Sequence, residues 1–429
     1  MNPIRLAVVG TGSRGFALSN YLLEHPGSGV VTAAADSNPR ALTTFGEAFG
    51  VPPDGRFDDW QLLLAQKDRY DAVIIATPDT QHREPALAFL GAGVPLLLEK
   101  PMAVDETECR QIAQAAQDAG VLFAVCHVLL YTDYTTRVKE LVTQGIIGDV
   151  VSVQHLEPVG YWHQAHSFVR GNWRTTKSAA FMLLQKCCHD LDWLRHVVAS
   201  RVARVASFGR LTHFRPESRP VGASDRCTTC AVEASCPYSA RKIYLDRFDR
   251  GDRGWPLDVL VRPVTRPGLE AALAQGPYGQ CVYAADNDVV DHQVVILDYE
   301  NGVTATLTMT AFTEQAARKT TLFGTRGEMR LDGETIEVFD FLTDTVKRYD
   351  PAVVGDSTVA GGHGGGDFGL MEAFLGAMAS GDPSGVLSNA ATSLESHLIA
   401  FAAEKARLEG RVVALNYEKT TSKVEGGSV

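Results

Sequence analysis

"IRLAVVGTGSRGFALSNYLLEH", Ile4 to His25, decides how the rest of the chain is read. Ile4 to Gly10 is an apolar run of the kind that forms a strand buried on both faces of a parallel sheet. The turn after it places Gly10, Gly12 and Gly15 in the G-x-G-x-x-G spacing, and a helix pattern opens near Ser13. Glycine turns are common, so the spacing alone says little. Here it follows a strand, starts a helix and is answered by Asp36 at the end of the next strand-like run, Val31 to Asp36. Glycines let the backbone approach a pyrophosphate at a helix N-terminus. Asp36 can accept hydrogen bonds from a ribose 2'-hydroxyl and would repel a 2'-phosphate. The expected cofactor is therefore NAD rather than NADP, with Arg40 as the residue that could still admit NADP. Gly10, Gly12, Ser13, Arg14, Gly15, Asp36 and Arg40 are the expected contacts.

The alternation continues with strand-like runs at Tyr70 to Pro78, Val94 to Pro101 and Val121 to His127, separated by helical segments. This predicts a doubly wound α/β domain over residues 1–126. The remainder, 127–429, reads as α+β. "DVVDHQVVILDYENGVTATLTMTAF" predicts a hairpin turning at Asn301-Gly302, within a mainly antiparallel sheet. Helices are expected at Phe368 to Ala379 and Ala390 to Leu408, and a disordered polar tail after Tyr417.

The totals narrow the class. The 429 residues are 45% apolar and 21% charged, as in a globular protein of two or three domains. A net charge of -11 argues against nucleic acid and anionic membranes as partners. No signal segment or membrane span is apparent. The eight cysteines are dispersed, which suits a reducing, cytoplasmic setting.

"LLLEKPMA" (Leu96 to Ala103) puts Glu-Lys-Pro at a strand end, and "ATPDTQH" (Ala76 to His82) follows the strand before it. With the glycine turn, these motifs make the chain resemble the Gfo/Idh/MocA family of oxidoreductases over nearly its whole length. The resemblance implies a Rossmann domain followed by a domain with a large open-faced sheet, NAD(P) chemistry on sugars or cyclitols, and a dimer or tetramer built on the sheet's free face. It adds Thr77, Pro78, His82 and Glu99 to the cofactor contacts. It places Lys100 beside the nicotinamide and the reacting hydroxyl, with Pro101 fixing the turn, a cis peptide being one way to do so.

"LLQKCCHDLDWL" (Leu183 to Leu194) falls in a helix expected over Ser178 to Val198. Gln185 and His189 share one side, and Lys186 and Asp190 a neighbouring stripe. Cys187 and Cys188 point about 100° apart, which is poor for chelation, and read as small core residues. Family members usually carry an Asp and a His four apart on this helix. His189 matches the His, whereas Gln185 replaces the Asp and cannot act as a base. Proton transfer then falls to His189, whose unperturbed pKa is ~6.5, and to Lys100, with Lys186 as a cation at the substrate. Leu130 stands where members often carry an Arg. His127 and Tyr131, Trp173 and Arg174, Gln185 and His363 are the expected substrate contacts. Tyr161, His163 and His166 are candidates too, the two histidines evenly balanced against a solvated loop. Asp367 is expected to cap the helix that follows it.

Residues 211–286 lack periodicity and read as an insertion. Cys227, Cys230, Cys236 and Cys281 suit a closed structural zinc site, which would pin a segment that cannot build its own core. The alternatives are free thiols, a Cys227–Cys230 disulfide or an iron–sulfur cluster. The expected function is an NAD-dependent dehydrogenase of a sugar, glycoside or cyclitol. A hydrolase or lyase that recycles its NAD, and a non-catalytic NAD-binding regulator, are the alternatives.

Overall fold

The computed structural model describes residues 3–351 and 364–417. The first sheet has six parallel strands: β1 (Ile4–Val9), β2 (Gly29–Ala35), β3 (Arg56–Phe57), β4 (Ala72–Ile75), β5 (Leu96–Leu98) and β6 (Phe123–Val125). Their order is β3-β2-β1-β4-β5-β6. The strands are almost wholly buried, as their unbroken apolar runs require. The order reverses between β1 and β4, so the crevice at their C-terminal ends is the ligand position of this fold. Helices α1 (Ser13–Glu24), α2 (Arg83–Gly91) and α3 (Glu106–Ala119) belong to this layer. The expected strands are present, shorter than their apolar runs except β2, which begins two residues earlier, at Gly29. The two-residue β3 was not anticipated.

The second sheet has nine strands: β7 (Val150–Pro158), β8 (Val202–Arg210), β9 (His292–Tyr299), β10 (Thr304–Thr310), β11 (Lys319–Gly324), β12 (Gly327–Leu331), β13 (Ile336–Asp340), β14 (Thr345–Tyr349) and β15 (Val413–Ala414). The order is β14-β13-β12-β11-β7-β10-β9-β8-β15, and all pairs are antiparallel except β7 with β10. The β9–β10 hairpin turns at Asn301-Gly302, where Gly302 takes a φ of +87°. One face carries Val153, Leu297, Leu307 and Leu322 into a core shared with α4 (Met182–Val198). Helix α4 starts four residues later than expected, because Thr175 and Ser178 hydrogen-bond each other in a turn first. Cys187 and Cys188 are buried in that core, as read from the sequence.

Two C-terminal helices join the layers. Helix α5 (Gly366–Ser380) returns to the first sheet, placing Leu370, Met371 and Phe374 in the core beside Leu6 and Val8. Helix α6 (Ala390–Glu409) packs on α3, α4 and β8. Asp367 does not cap α5: Gly365 occupies the cap position, and Asp367 lies inside the first turn. The insertion departs from expectation more sharply. It builds a core from Phe214, Tyr238, Tyr244, Leu257, Leu269 and Leu273, set on turns and short helices with no common period, and joins Ala165, Val169 and Ala311 from outside it. The residues after Tyr417, expected to form a disordered tail, lie outside the described residues.

Candidate active site

The glycine turn fits a dinucleotide. Gly10 has a φ of +91°, and a Cβ there would meet the Ala76 carbonyl at 2.5 Å. A Cβ on Gly15 would overlap the Gly10 carbonyl oxygen, whereas the space in front of Gly12 is open. Helix α1 begins there with no side-chain cap, so its first N–H groups face that space. Asp36 is held in place: one carboxylate oxygen accepts from the Thr11 N–H and hydroxyl at 2.8 and 2.9 Å, and the other from the Asn38 N–H at 2.8 Å. Arg40 is exposed nearby, its own N–H bonded to the Asn38 side chain. Arg14 turns away from the glycine turn. Its guanidinium bonds Glu99 at 2.6 Å and Asp367 at 2.7 Å. Burial opposes its charge, but the two carboxylates outweigh that and raise its pKa well above normal.

His82 ties the two family motifs together. Its ring nitrogens lie 2.8 Å from the Pro101 carbonyl and 2.9 Å from that of Thr77, the residue preceding Pro78. Glu99 accepts the Lys100 backbone N–H at 2.9 Å, and the Lys100–Pro101 peptide is cis. The Lys100 ammonium donates to the Gln185 carbonyl of α4 at 3.1 Å and lies 5.9 Å from the Trp173 ring centroid. The Gln185 amide and the Trp173 indole N–H both donate to Asp79, at 3.0 and 2.9 Å. Asp79 thus organises two predicted residues, Trp173 and Gln185, yet it was not singled out. It stands inside a quoted motif, but no spacing points from it to partners 94 and 106 residues away.

His189, one turn after Gln185, is buried with its ring edge-on to His127 at 5.8 Å. Burial, with the positive Arg195 and Lys100, pushes His127 down to about 3, so it is neutral. Its Nδ1 lies 3.6 Å from Asp192. Burial raises the Asp192 carboxyl, and Arg195 only partly offsets this. His163 belongs to this group as well. Burial, Lys186, His166 and Lys100 together hold it far below the usual histidine range, and its Nδ1 has no hydrogen-bond partner among the described residues. Both lysine ammoniums therefore act on one neutral imidazole.

Lys186 sits in an ionic chain. It bonds Glu157 at 3.1 Å, Arg318 bonds Glu157 at 3.0 Å and Asp190 at 2.6 Å, and His155 bonds Asp190 at 2.9 Å. Burial works against the Asp190 charge, but Arg318 and His155 keep it ionised far below the normal range. Lys186 thus arrives with a counter-charge from the inner face of β7, which its helical spacing to Asp190 does not reveal.

Other expected contacts have partners within the protein. The Tyr131 hydroxyl bonds Ser388 at 2.8 Å. Arg174 is pinned to Asp286 at 2.6 Å and to the Gly171 carbonyl at 3.3 Å. His166 bonds Tyr244 at 2.9 Å within the insertion's packing. His363 lies outside the described residues. All eight cysteines are free thiols, so Cys227 and Cys230 form no disulfide. Cys227, Cys230, Cys236 and Cys281 line one cavity of about 80 Å³, but no three potential ligands among the described residues are arranged as a metal site. Burial raises the Cys236 and Cys281 thiols.

Comparison with known proteins agrees with this fold. The pattern of the oxidoreductase family, NAD-binding Rossmann fold, matches residues 4–127, and that of the family's C-terminal α/β domain matches 139–349. Inositol 2-dehydrogenase of Rubrobacter xylanophilus is 30% identical over 206 residues, 47% of this chain and 54% of that protein. The 2,7-anhydro-N-acetylneuraminate hydratase of Mediterraneibacter gnavus is 26% identical over 209 residues, 49% of this chain and 53% of that one. The chain thus spans about half the length of these curated relatives. A levoglucosan dehydrogenase solved with NADH and levoglucosan has the same fold, with a TM-score of 0.69 at 18% identity, covering 96% of this chain and 99% of that one. The chain belongs to the Gfo/Idh/MocA family of oxidoreductases.

Proposed function

We propose that the protein is an NAD-dependent dehydrogenase of a sugar, glycoside or cyclitol hydroxyl. The observation that supports this most is the placement of Lys100: it leaves the end of β5 and bonds the backbone of α4 one turn before His189. Gly10, Gly12, Ser13, Gly15 and Asp36 would hold the dinucleotide, with Thr77, Pro78 and Glu99 shaping its nicotinamide end. A bound nicotinamide supplies the two-electron acceptor. His189 takes the hydroxyl proton, and the Lys100 ammonium orients and polarises that oxygen. Lys186, Gln185, Trp173, His127 and His163 hold the remaining hydroxyls. Asp36 favours NAD over NADP.

The test follows NADH absorbance and product mass together over a panel of sugars, glycosides and cyclitols. His189→Ala and Lys100→Ala should each abolish detectable turnover; normal turnover in both would refute the assignment. The hydratase name of one relative favours a second reading, in which NAD is recycled within the turnover. Product without net NADH would establish it.

Three finer points belong to the same proposal. The four insertion thiols take structural zinc. Arg170, fully buried beside Cys227 at 3.4 Å, has no carboxylate partner among the described residues, and a zinc–thiolate centre would supply its counter-charge. Metal analysis of the purified protein checks this. The open sheet face, with Phe208 and Ile296 exposed, forms the contact of a homo-oligomer, which light scattering would size. A reducing, cytoplasmic setting suits the free thiols.

A further inference from the structure

We propose that Arg262, carried by the cysteine-rich insertion, clamps the pyrophosphate of the bound dinucleotide, so that the insertion closes the cofactor site. The inference rests on the reading that the glycine turn holds NAD. Arg262 Nη2 donates to the Ser13 hydroxyl at 3.1 Å, across 249 residues of sequence. Ser13 is the first residue of α1, where unsatisfied N–H groups and the positive end of the helix face the space before the turn. No acidic side chain lies in that first turn.

The arginine inside the turn cannot serve. Arg14 is committed to Glu99 and Asp367, and two carboxylates cancel its charge. Arg262 has a single carboxylate partner, Asp258 at 2.7 Å, and its side chain is 46% exposed. Its Nη1 has no acceptor among the described residues. A planar guanidinium with free donors beside a helix N-terminus matches phosphate oxygens.

The arm that carries Arg262 is held from behind. Arg262 Nε also donates to the Asp258 carbonyl at 3.1 Å, and the adjacent Leu257 is fully buried in the insertion's core. The same arm sets the Trp255 ring 5.0 Å from that of His163. One segment therefore reaches the phosphate end of the cofactor site and the wall of the reacting centre. Cofactor release requires this arm to move, which couples dinucleotide affinity to the insertion.

The test is a set of equilibrium titrations on the full chain, with NADH, ADP and adenosine as probes. Arg262→Gln should raise the Kd for NADH and for ADP about five- to twentyfold, the loss expected for one exposed charge-assisted contact. Arg262→Lys should retain part of the affinity, because the charge remains without the fork. Adenosine should bind Arg262→Gln as it binds the original protein, to within about twofold, and the melting temperature should not change, since the side chain is half exposed. Unchanged ADP affinity in Arg262→Gln overturns the clamp, as does an equal loss for adenosine. If the unaltered protein binds neither NADH nor ADP, the cofactor reading falls with it.

Discussion

Lowering the pH from 7 to 5 should remove much of the protein's stability before most carboxylates titrate. His127, His166 and His397 are buried, and each is pushed down to about 3. Burial is the largest cause at all three. Positive neighbours add to it at two of them, Arg195 and Lys100 at His127 and Arg170 and Arg247 at His166, while His397 competes with His127 because protonating either ring opposes protonating the other. An unfolded histidine titrates near ~6.5. Between the two values the unfolded chain binds protons that the folded chain refuses, so this stability is whole above pH 6.5 and is lost as the pH falls toward 3. At pH 5, about 1.5 units below the unfolded value, each ring costs about 2 kcal/mol. These three rings alone would cost about 6 kcal/mol if independent, and the contact of His127 with His397 at 5.4 Å couples two of them, so they contribute about 4–6 kcal/mol, to which His163 and His196, also held down by burial, add. That is comparable to the whole stability of a typical domain, about 5–15 kcal/mol. Urea unfolding followed by circular dichroism at pH 7, 6 and 5 measures it. His397→Gln can keep both ring contacts, the Met102 N–H at 2.8 Å and the Ser393 carbonyl at 2.7 Å, while removing one titrating group. Its pH slope should be shallower by one ring's share, about a fifth, because burial holds His163 and His196 down as well. A stability independent of pH over this range, or the same slope in His397→Gln, would refute the reasoning.

Arg318→Met should destabilise by about 3–5 kcal/mol, because it leaves Asp190 and Glu157 buried with less counter-charge. Adding Asp190→Asn should recover part of the loss, and thermal unfolding of the single and double variants checks both. Asp79→Ala releases the Trp173 indole and the Gln185 amide together, a loss of about 1.5–3 kcal/mol, so KM should rise roughly tenfold or more with a smaller change in kcat. Asp36→Ser should move coenzyme preference toward NADP, with Arg40 meeting the 2'-phosphate, as paired NADH and NADPH titrations would show.

The readable parts of the fold are those whose signals are local. The strand, glycine turn and helix of residues 4–25 declare themselves because buried parallel strands are unbroken apolar runs and a tight turn demands glycine. The β9–β10 hairpin is visible for the same reason, through alternation and the Asn301-Gly302 turn. Strand β3 was missed because two residues carry no period. The insertion's core was missed because its aromatic and leucine residues sit on turns and short helices of different pitch. In the proposed site, the placement of Lys100 at a strand end and of His189 on a helix was legible from motif and helical spacing, whereas His163 could not be told from a loop histidine.

The sequence by itself determined the dinucleotide fold, the family and the positions of Lys100 and His189, since each depends on neighbours within a few turns of chain. Tertiary structure alone decided which charges meet. Arg14 sits in the glycine motif, yet Asp367, 353 residues later, takes its guanidinium; Arg262, 249 residues from Ser13, reaches the turn instead. Lys186 finds Glu157 on β7 and, through it, Arg318 on the loop leading to β11. Burial, which no spacing records, sets the neutral state of His127 and His163. Electrostatic energy depends on distance through space and on access of water, and both are properties of the folded chain.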